Sequence, residues 1–259
     1  MELSDLHSFS HFADDAKEVA EIVICQASTL TKADCFLINS FDSLEDQVVK
    51  WMTDRWSVKT VGPLVPILHK DRIDLFELDS ESCIQWLDIR ESKSVVYVSF
   101  GSAAVLTEEQ MEEIAWGLAQ SNKYFIWVVR ESEQVKLPKD FKSKISEKGI
   151  IVKWCPQVEV LPHKAIACFM THCGWNLTLE ALCLGVPMVC MPHFVDQSTN
   201  AKLVEDVWKV GVRVKVNEKG IVTREEVRGL YKAGDGGRES PGVSKKCHKM
   251  ERVSKRGNK

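Results

Sequence analysis

The chain has 259 residues, of which 44% are hydrophobic and 27% charged, with 34 Lys+Arg against 37 Asp+Glu and a formal net charge of −3. This is ordinary globular composition, long enough for one large domain or for one domain and part of another. Charge this close to balance excludes the strong positive field that selects nucleic acid or an anionic membrane. Nine cysteines are scattered without a C-x-x-C pair, several of them inside apolar runs such as Ala167–Met170. They predict small buried hydrophobes in a reducing compartment. The first residues carry neither a basic start nor an apolar core, and no apolar run is long enough to span a bilayer, so a cytoplasmic location is expected.

In chain order, a helix is predicted over Asp14–Ser28, a strand over Cys35–Asn39 and a helix over Ser43–Thr53. Gly62-Pro63-Leu64-Val65-Pro66 reads as a rigid extended segment and Lys70–Ser80 as a charged run, together marking a boundary. Beyond it, strands are expected at Val95–Phe100, Tyr124–Arg130, Ile150–Lys153, Ala167–Thr171, Pro187–Met191 and Val212–Val216. Helices are expected at Thr107–Ser121, Thr178–Leu184, Gln197–Trp208 and from Thr223 onward. Thr107 with Gln110, and Thr223 with Glu226, carry the capping-box spacing. Alternating strands and helices, with strands apolar on both faces, imply a parallel sheet covered on both sides. Residues 81–229 are therefore expected to form one doubly wound domain, with 66–80 a linker. Residues 1–65, with one strand and two helices, are too little for a core of their own and read as the remnant of another domain.

The stretch with most chemistry is Trp154–Gln197, WCPQVEVLPHKAIACFMTHCGWNLTLEALCLGVPMVCMPHFVDQ. A strand entering a helix through the turn His172-Cys173-Gly174-Trp175-Asn176 presents free backbone N–H groups and a positive dipole end. That is an anion site at the sheet edge where open α/β folds bind ligands, and a diphosphate suits it. His172 and Asn176 can add side-chain donors, Glu180 can accept from ribose hydroxyls, and Trp154 offers a flat face to a base. Asp196 and Gln197 open the next helix, placed to grip sugar hydroxyls, with Asp196 also a candidate N-cap.

The 44 positions from 154 to 197 resemble, in sequence and length, the signature box of the plant secondary-product UDP-glycosyltransferases (family 1). The similarity extends back through Cys83–Leu87, Tyr97–Ser102 and Trp127–Arg130 to Ala33–Phe41. The resemblance implies an α/β fold of the GT-B type, with a Rossmann-like C-terminal domain and the remnant of the N-terminal domain. It implies that Trp154 stacks on uracil while the Cys155 backbone pairs with its edge, and that Gln157 and Glu180 hold the ribose. Ser102, His172, Asn176 and the amides of Gly174, Trp175 and Asn176 would hold the diphosphate. Asp196 and Gln197 would bind the donor sugar, the glutamine being associated with glucose. The implied activity is transfer of glucose from UDP-glucose to a hydroxyl or carboxyl of a small-molecule acceptor by inverting displacement. No cofactor and no metal are implied, and the expected state is a monomer.

Three departures from the family pattern stand out. The histidine that would serve as general base belongs to a domain whose beginning this sequence lacks. His7 and His11 do not fit that role, so no catalytic residue is assigned and the chain alone is expected to be inactive, or a UDP-sugar-binding product without turnover. Leu177 occupies a position where the family usually has a serine bonded to a phosphate. From Leu230 to Lys259 the chain is polar, Gly-rich and basic without helical period, which predicts disorder. A one-base insertion near the codon for Leu230 would account for that tail.

Overall fold

Strands with apolar residues on both faces bury them only if helices cover both sides of the sheet, and the chain folds accordingly. A computed structural model describes Cys25 and residues 32–65 and 80–232, apart from 103, 122 and 146. The helix expected at Asp14–Ser28, all of the charged linker except Ser80, and the tail beyond Lys232 lie outside the described residues, Cys25 excepted.

Six strands build the main sheet: β3 (Val95–Ser99), β4 (Tyr124–Val128), β5 (Gly149–Val152), β6 (Ile166–Thr171), β7 (Met188–Cys190) and β8 (Gly211–Arg213). Their order is β5-β4-β3-β6-β7-β8, with every neighbouring pair parallel. The chain starts in the middle, winds outward through β4 and β5, then returns to lay β6 beside β3. Side chains alternate between two cores, as the period of a strand requires. Val95 and Tyr97 of β3 join one core, with Ile126, Phe169 and Met188. Val96 and Val98 join the other, with Phe125, Trp127 and Met170.

The first core is covered by α2 (Ser80–Asp88), α5 (Gln157–Val160), α6 (Trp175–Leu184) and α7 (Gln197–Lys202), through Leu87, Val160, Leu179 and Ala201. The second is covered by α3 (Glu108–Ala119), α4 (Phe141–Lys144) and α8 (Arg224–Lys232), through Ile114, Phe141 and Val227. Successive connections thus leave β3 and β6 toward opposite faces, α3 on one and α6 on the other. Such a reversal of winding direction, at the C-terminal ends of these two strands, is where open α/β sheets bind ligands.

Both capping boxes form only by half. The Thr107 hydroxyl accepts from the Gln110 amide at 3.1 Å and that of Thr223 from the Glu226 amide at 3.3 Å. The Gln110 side chain does not turn back; it exchanges two 2.9 Å bonds with the backbone of Val222. Glu226 accepts from the Lys215 amide at 3.0 Å. Tertiary partners displaced the local ones, and α3 and α8 are drawn together. Their contact is close enough that a Cβ on Gly117 would meet Val227 Cβ at 2.5 Å.

The disorder expected from Leu230 does not hold for Leu230–Lys232. Helix α8 runs to Lys232, because Tyr231 is buried and its hydroxyl lies 3.4 Å from Met170 Sδ. The sequence hid this because one apolar anchor on a last turn makes no periodic pattern. The first residues of the region also hold more than expected. Strand β1 (Phe36–Ile38) pairs in parallel with an unanticipated β2 (Val58–Thr60), beside a shortened helix α1 (Asp46–Thr53). This unit has little interior and rests on the larger one. Leu44 belongs to the first core, and indole N–H groups of Trp175 and Trp208 donate to the carbonyls of Asn39 and Leu44 at 2.7 and 3.2 Å.

Candidate functional site

A cavity of about 590 Å³ lies at the C-terminal edge of β3, β4 and β5, against α6. Five of the residues singled out from sequence line it: Ser102, Trp154, Cys155, Gln157 and Glu180. Trp154 lies two residues past the end of β5 and is half-buried, while Cys155 beside it is buried, so the indole walls the cavity and the thiol packs into the core. Gln157, the first residue of α5, donates through Nε2 to Glu180 Oε2 in a short contact. One amide and one carboxylate from separate helices are thereby held as a pair, with acceptor capacity left for hydroxyl groups. Tyr97 lies beneath them, fully buried, its hydroxyl driven well above the ordinary phenol range by burial and by the neighbouring acidic groups.

The turn after β6 forms a second part of the site. Helix α6 begins at Trp175, three residues earlier than expected, with Gly174 as its N-cap. The amides of Trp175, Asn176 and Leu177 therefore occupy the first turn, where no intrahelical acceptor exists. The preceding residue, Cys173, sits at φ +64°, a left-handed conformation that is rare for a side chain bearing Cβ. It is clamped from both sides: its N–H donates to Thr171 Oγ1 at 3.2 Å and its carbonyl accepts from Asn200 Nδ2 at 2.9 Å.

His172 is packed between two glycines. A Cβ on Gly101 (φ +72°) would lie 2.8 Å from His172 Cε1, and one on Gly174 would lie 2.6 Å from Nε2. Both positions thus require glycine for the ring to fit, and Gly101 lines the cavity. Burial pushes the imidazole pKa down to about 4, against an opposing pull from the Asp196 carboxylate, so the ring is neutral at pH 7. Its Nδ1 has no hydrogen-bond partner among the described residues. Gly174 lies two residues after His172 in the sequence, but only the fold brings Gly101 against residue 172.

Other sequence-selected residues are arranged differently. Trp175 turns its ring away from the cavity, toward Trp208 and the Asn39 carbonyl. Asn176 is exposed at the first turn of α6. Asp196 makes no side-chain cap on α7; its Oδ2 accepts from Asn200 Nδ2 at 2.8 Å. Gln197 is buried, and its Oε1 accepts from the amides of His193 and Phe194 at 2.9 and 3.1 Å. Its amino end is the one left to meet a hydroxyl. Leu177 lines the cavity at the third residue of α6, half-buried against the first core. Asn200, unremarked in the sequence, is the residue that links this loop to the turn at Cys173. Among the described residues no cluster of His, Cys, Asp or Glu could hold a metal ion, and no helix is long and apolar enough to cross a membrane.

Residues 23–229 match the family model described as UDP-glucoronosyl and UDP-glucosyl transferase. The chain is 52% identical to UDP glycosyltransferase 9 of Catharanthus roseus, over 88% of this chain and 51% of that one. It is 48% identical to UDP-glycosyltransferase 74E2 of Arabidopsis thaliana, over 86% and 51%. The chain thus spans about half the length of the curated relatives it matches. Among solved structures it superposes on Os79 of O. sativa in complex with UDP at a TM-score of 0.89 and 36% identity, covering 98% of this chain and 58% of that one. It superposes on Phytolacca americana UGT2, complexed with UDP-2fluoro-glucose and pterostilbene, at 0.83 and 31%, covering 97% and 56%. The six-stranded doubly wound sheet is the Rossmann-like domain of their GT-B architecture, and this chain belongs to the plant UDP-glycosyltransferases.

Proposed function

We propose that this chain is the nucleotide-sugar-binding part of a glucosyltransferase that moves glucose from UDP-glucose to a hydroxyl or carboxyl of a small-molecule acceptor. The observation that carries the reading is the alignment, along one sheet edge, of three chemically distinct parts. The indole of Trp154 and the Gln157–Glu180 pair wall the cavity. The amides of the first turn of α6, which have no acceptor within the helix, follow, beside the neutral His172. Asp196 comes last, within reach of that turn through Asn200.

In this reading uracil stacks on Trp154, the ribose hydroxyls donate to Glu180, and the diphosphate sits on the amides of Gly174, Trp175 and Asn176 with Ser102 and His172. The sugar hydroxyls meet Asp196 and the amino end of Gln197. An acceptor oxygen attacks the anomeric carbon from the side opposite UDP, a general base takes its proton, and the C–O bond to the diphosphate breaks with inversion. The fixed donors stabilise the charge that builds on the leaving diphosphate. No residue of this chain is assigned as that base. The protein is read as a cytoplasmic monomer, a location supported by the absence of any disulfide among the described cysteines.

A second reading, nucleotide-sugar binding without turnover, is favoured by Leu177, which puts an apolar side chain on the cavity wall at the third residue of α6. Calorimetric titration of the purified chain with UDP tests what both readings share; no heat and no thermal shift would count against it. Glucoside formation from UDP-glucose and a phenolic acceptor, above that of a His172→Ala control, would separate the two and remove the second.

A further inference from the structure

We infer that Asn200 is a positioning residue that holds the anion turn and the sugar-side carboxylate as one unit, so that diphosphate and sugar are recognised together. The inference rests on the nucleotide-sugar reading above and adds to it a residue that touches neither ligand group.

Asn200 lies on α7 with 5% of its surface exposed. Its Nδ2 carries two protons, and both are used. One goes to the carbonyl of Cys173 at 2.9 Å and the other to Asp196 Oδ2 at 2.8 Å. The first bond acts on a peptide that follows a left-handed residue. Cys173 is in the left-handed region, and its carbonyl direction fixes the plane of the following Gly174 amide. Held by Asn200 on one side and by Thr171 Oγ1 on the other, the turn aims the N–H groups that open α6 without reorganisation when an anion arrives. The second bond fixes one oxygen of Asp196, which otherwise rotates freely about χ2, and leaves Oδ1 for a hydroxyl donor. The spacing Asp196 to Asn200 is i to i+4, so the two side chains are neighbours on one helix face.

An asparagine suits this duty better than its isosteres. Aspartate has the same size and no Nδ2 protons when ionised, and would face both a carbonyl and a carboxylate. Alanine removes the bridge and leaves the Cys173 carbonyl buried without that donor.

Uridine, UDP and UDP-glucose together read the coupling, because uridine uses only the Trp154 side of the site. For Asn200→Ala and the isosteric Asn200→Asp, UDP affinity falls by at least about tenfold and uridine affinity stays within about twofold. The extra affinity of UDP-glucose over UDP disappears as well. A parallel loss of all three ligands overturns the inference by showing a purely structural role. An undiminished UDP affinity, or an undiminished difference between UDP-glucose and UDP, overturns it equally. Should either variant fail to fold, the unmodified chain labelled with ¹⁵N-asparagine still decides. The Asn200 side-chain amide resonances shift on adding UDP and again with UDP-glucose, and resonances that stay still reject the bridge. Failure of the unmodified chain to bind UDP at all refutes the nucleotide reading and the coupling with it, whereas binding that is indifferent to Asn200 refutes the coupling alone.

Discussion

Replacing Leu177 with serine tests the anion turn at the position where this chain departs from the family pattern. Leu177 is the third residue of α6, lines the cavity and rests half-buried on the first core. A serine there keeps the backbone N–H and adds a hydroxyl directed at the same anion. A hydrogen bond to a charged group contributes about 1.5–3 kcal/mol. UDP should therefore bind the Leu177→Ser variant about tenfold to a hundredfold more tightly. Losing the partly buried isobutyl group costs roughly 1 kcal/mol of fold stability, about half of full burial, so the melting temperature drops by about 2–4 °C. That cost falls on free and bound protein alike and does not enter the affinity. The assay is calorimetry with UDP, with uridine as the ligand that lacks phosphate and should be indifferent. Leu177→Ala separates the hydroxyl from the removal of bulk. If alanine improves UDP binding as much as serine does, the hydroxyl has no part. If neither variant changes UDP affinity, the diphosphate does not lie at the first turn of α6, and the reasoning fails.

Four further outcomes follow from named contacts. Gly174→Ala keeps an allowed backbone (φ −58°) but puts a methyl 2.6 Å from His172 Nε2; the ring must move, and UDP affinity should fall about tenfold with little loss of melting temperature. His172, depressed by burial to about 4 from an ordinary value near 6.5, takes up a proton more readily unfolded than folded, so its contribution to stability is complete above about pH 6.5 and is lost as pH falls toward 4. The loss is on the order of 3 kcal/mol by linkage and should shrink in His172→Gln, as read by urea unfolding at pH 7, 5.5 and 4.5. Gln110→Ala leaves the Val222 N–H and C=O without their buried partners and should cost about 2–4 kcal/mol in urea unfolding while UDP affinity is retained. Trp154→Ala removes the stacking face and should weaken uridine and UDP alike by about 1–3 kcal/mol, measured by calorimetry.

The fold was legible because parallel strands buried on two faces leave continuous apolar runs, and because the runs opening at Val95, Ala167, Pro187 and Val212 are each followed by an expected helix; the short helices Phe141–Lys144 and Gln157–Val160, with one turn each, carry no period. Val95–Ser99 and Ile166–Thr171 could be read that way within a residue or two. Val58–Thr60 could not: three residues, with an exposed lysine in the middle, are too few to establish a period, and only pairing with Phe36–Ile38 makes them a strand. α6 starts three residues before the expected Thr178 because the sequence places Trp175 and Asn176 in the turn, whereas Gly174 caps a helix that already includes them.

The site was legible in its residue types and much less so in their duties. The residues chosen from the signature stretch surround one sheet edge, yet their polar atoms are distributed in ways no linear pattern encodes. Gln197 commits its oxygen to two loop amides, Trp175 commits its indole to Asn39, and Asp196 serves Asn200 rather than its own helix. Each is a case of a buried or half-buried polar group taking a partner that the fold supplies. Glu226 and Gln110 did the same when they abandoned their capping boxes. A motif therefore names which side chains meet, whereas which atom of each remains available to a ligand depends on partners far away in sequence. Asn200 is the sharpest case. It belongs to no motif singled out, touches no cavity wall, and acquires its importance only because Cys173 and Asp196, 23 residues apart, both need a donor at the same point.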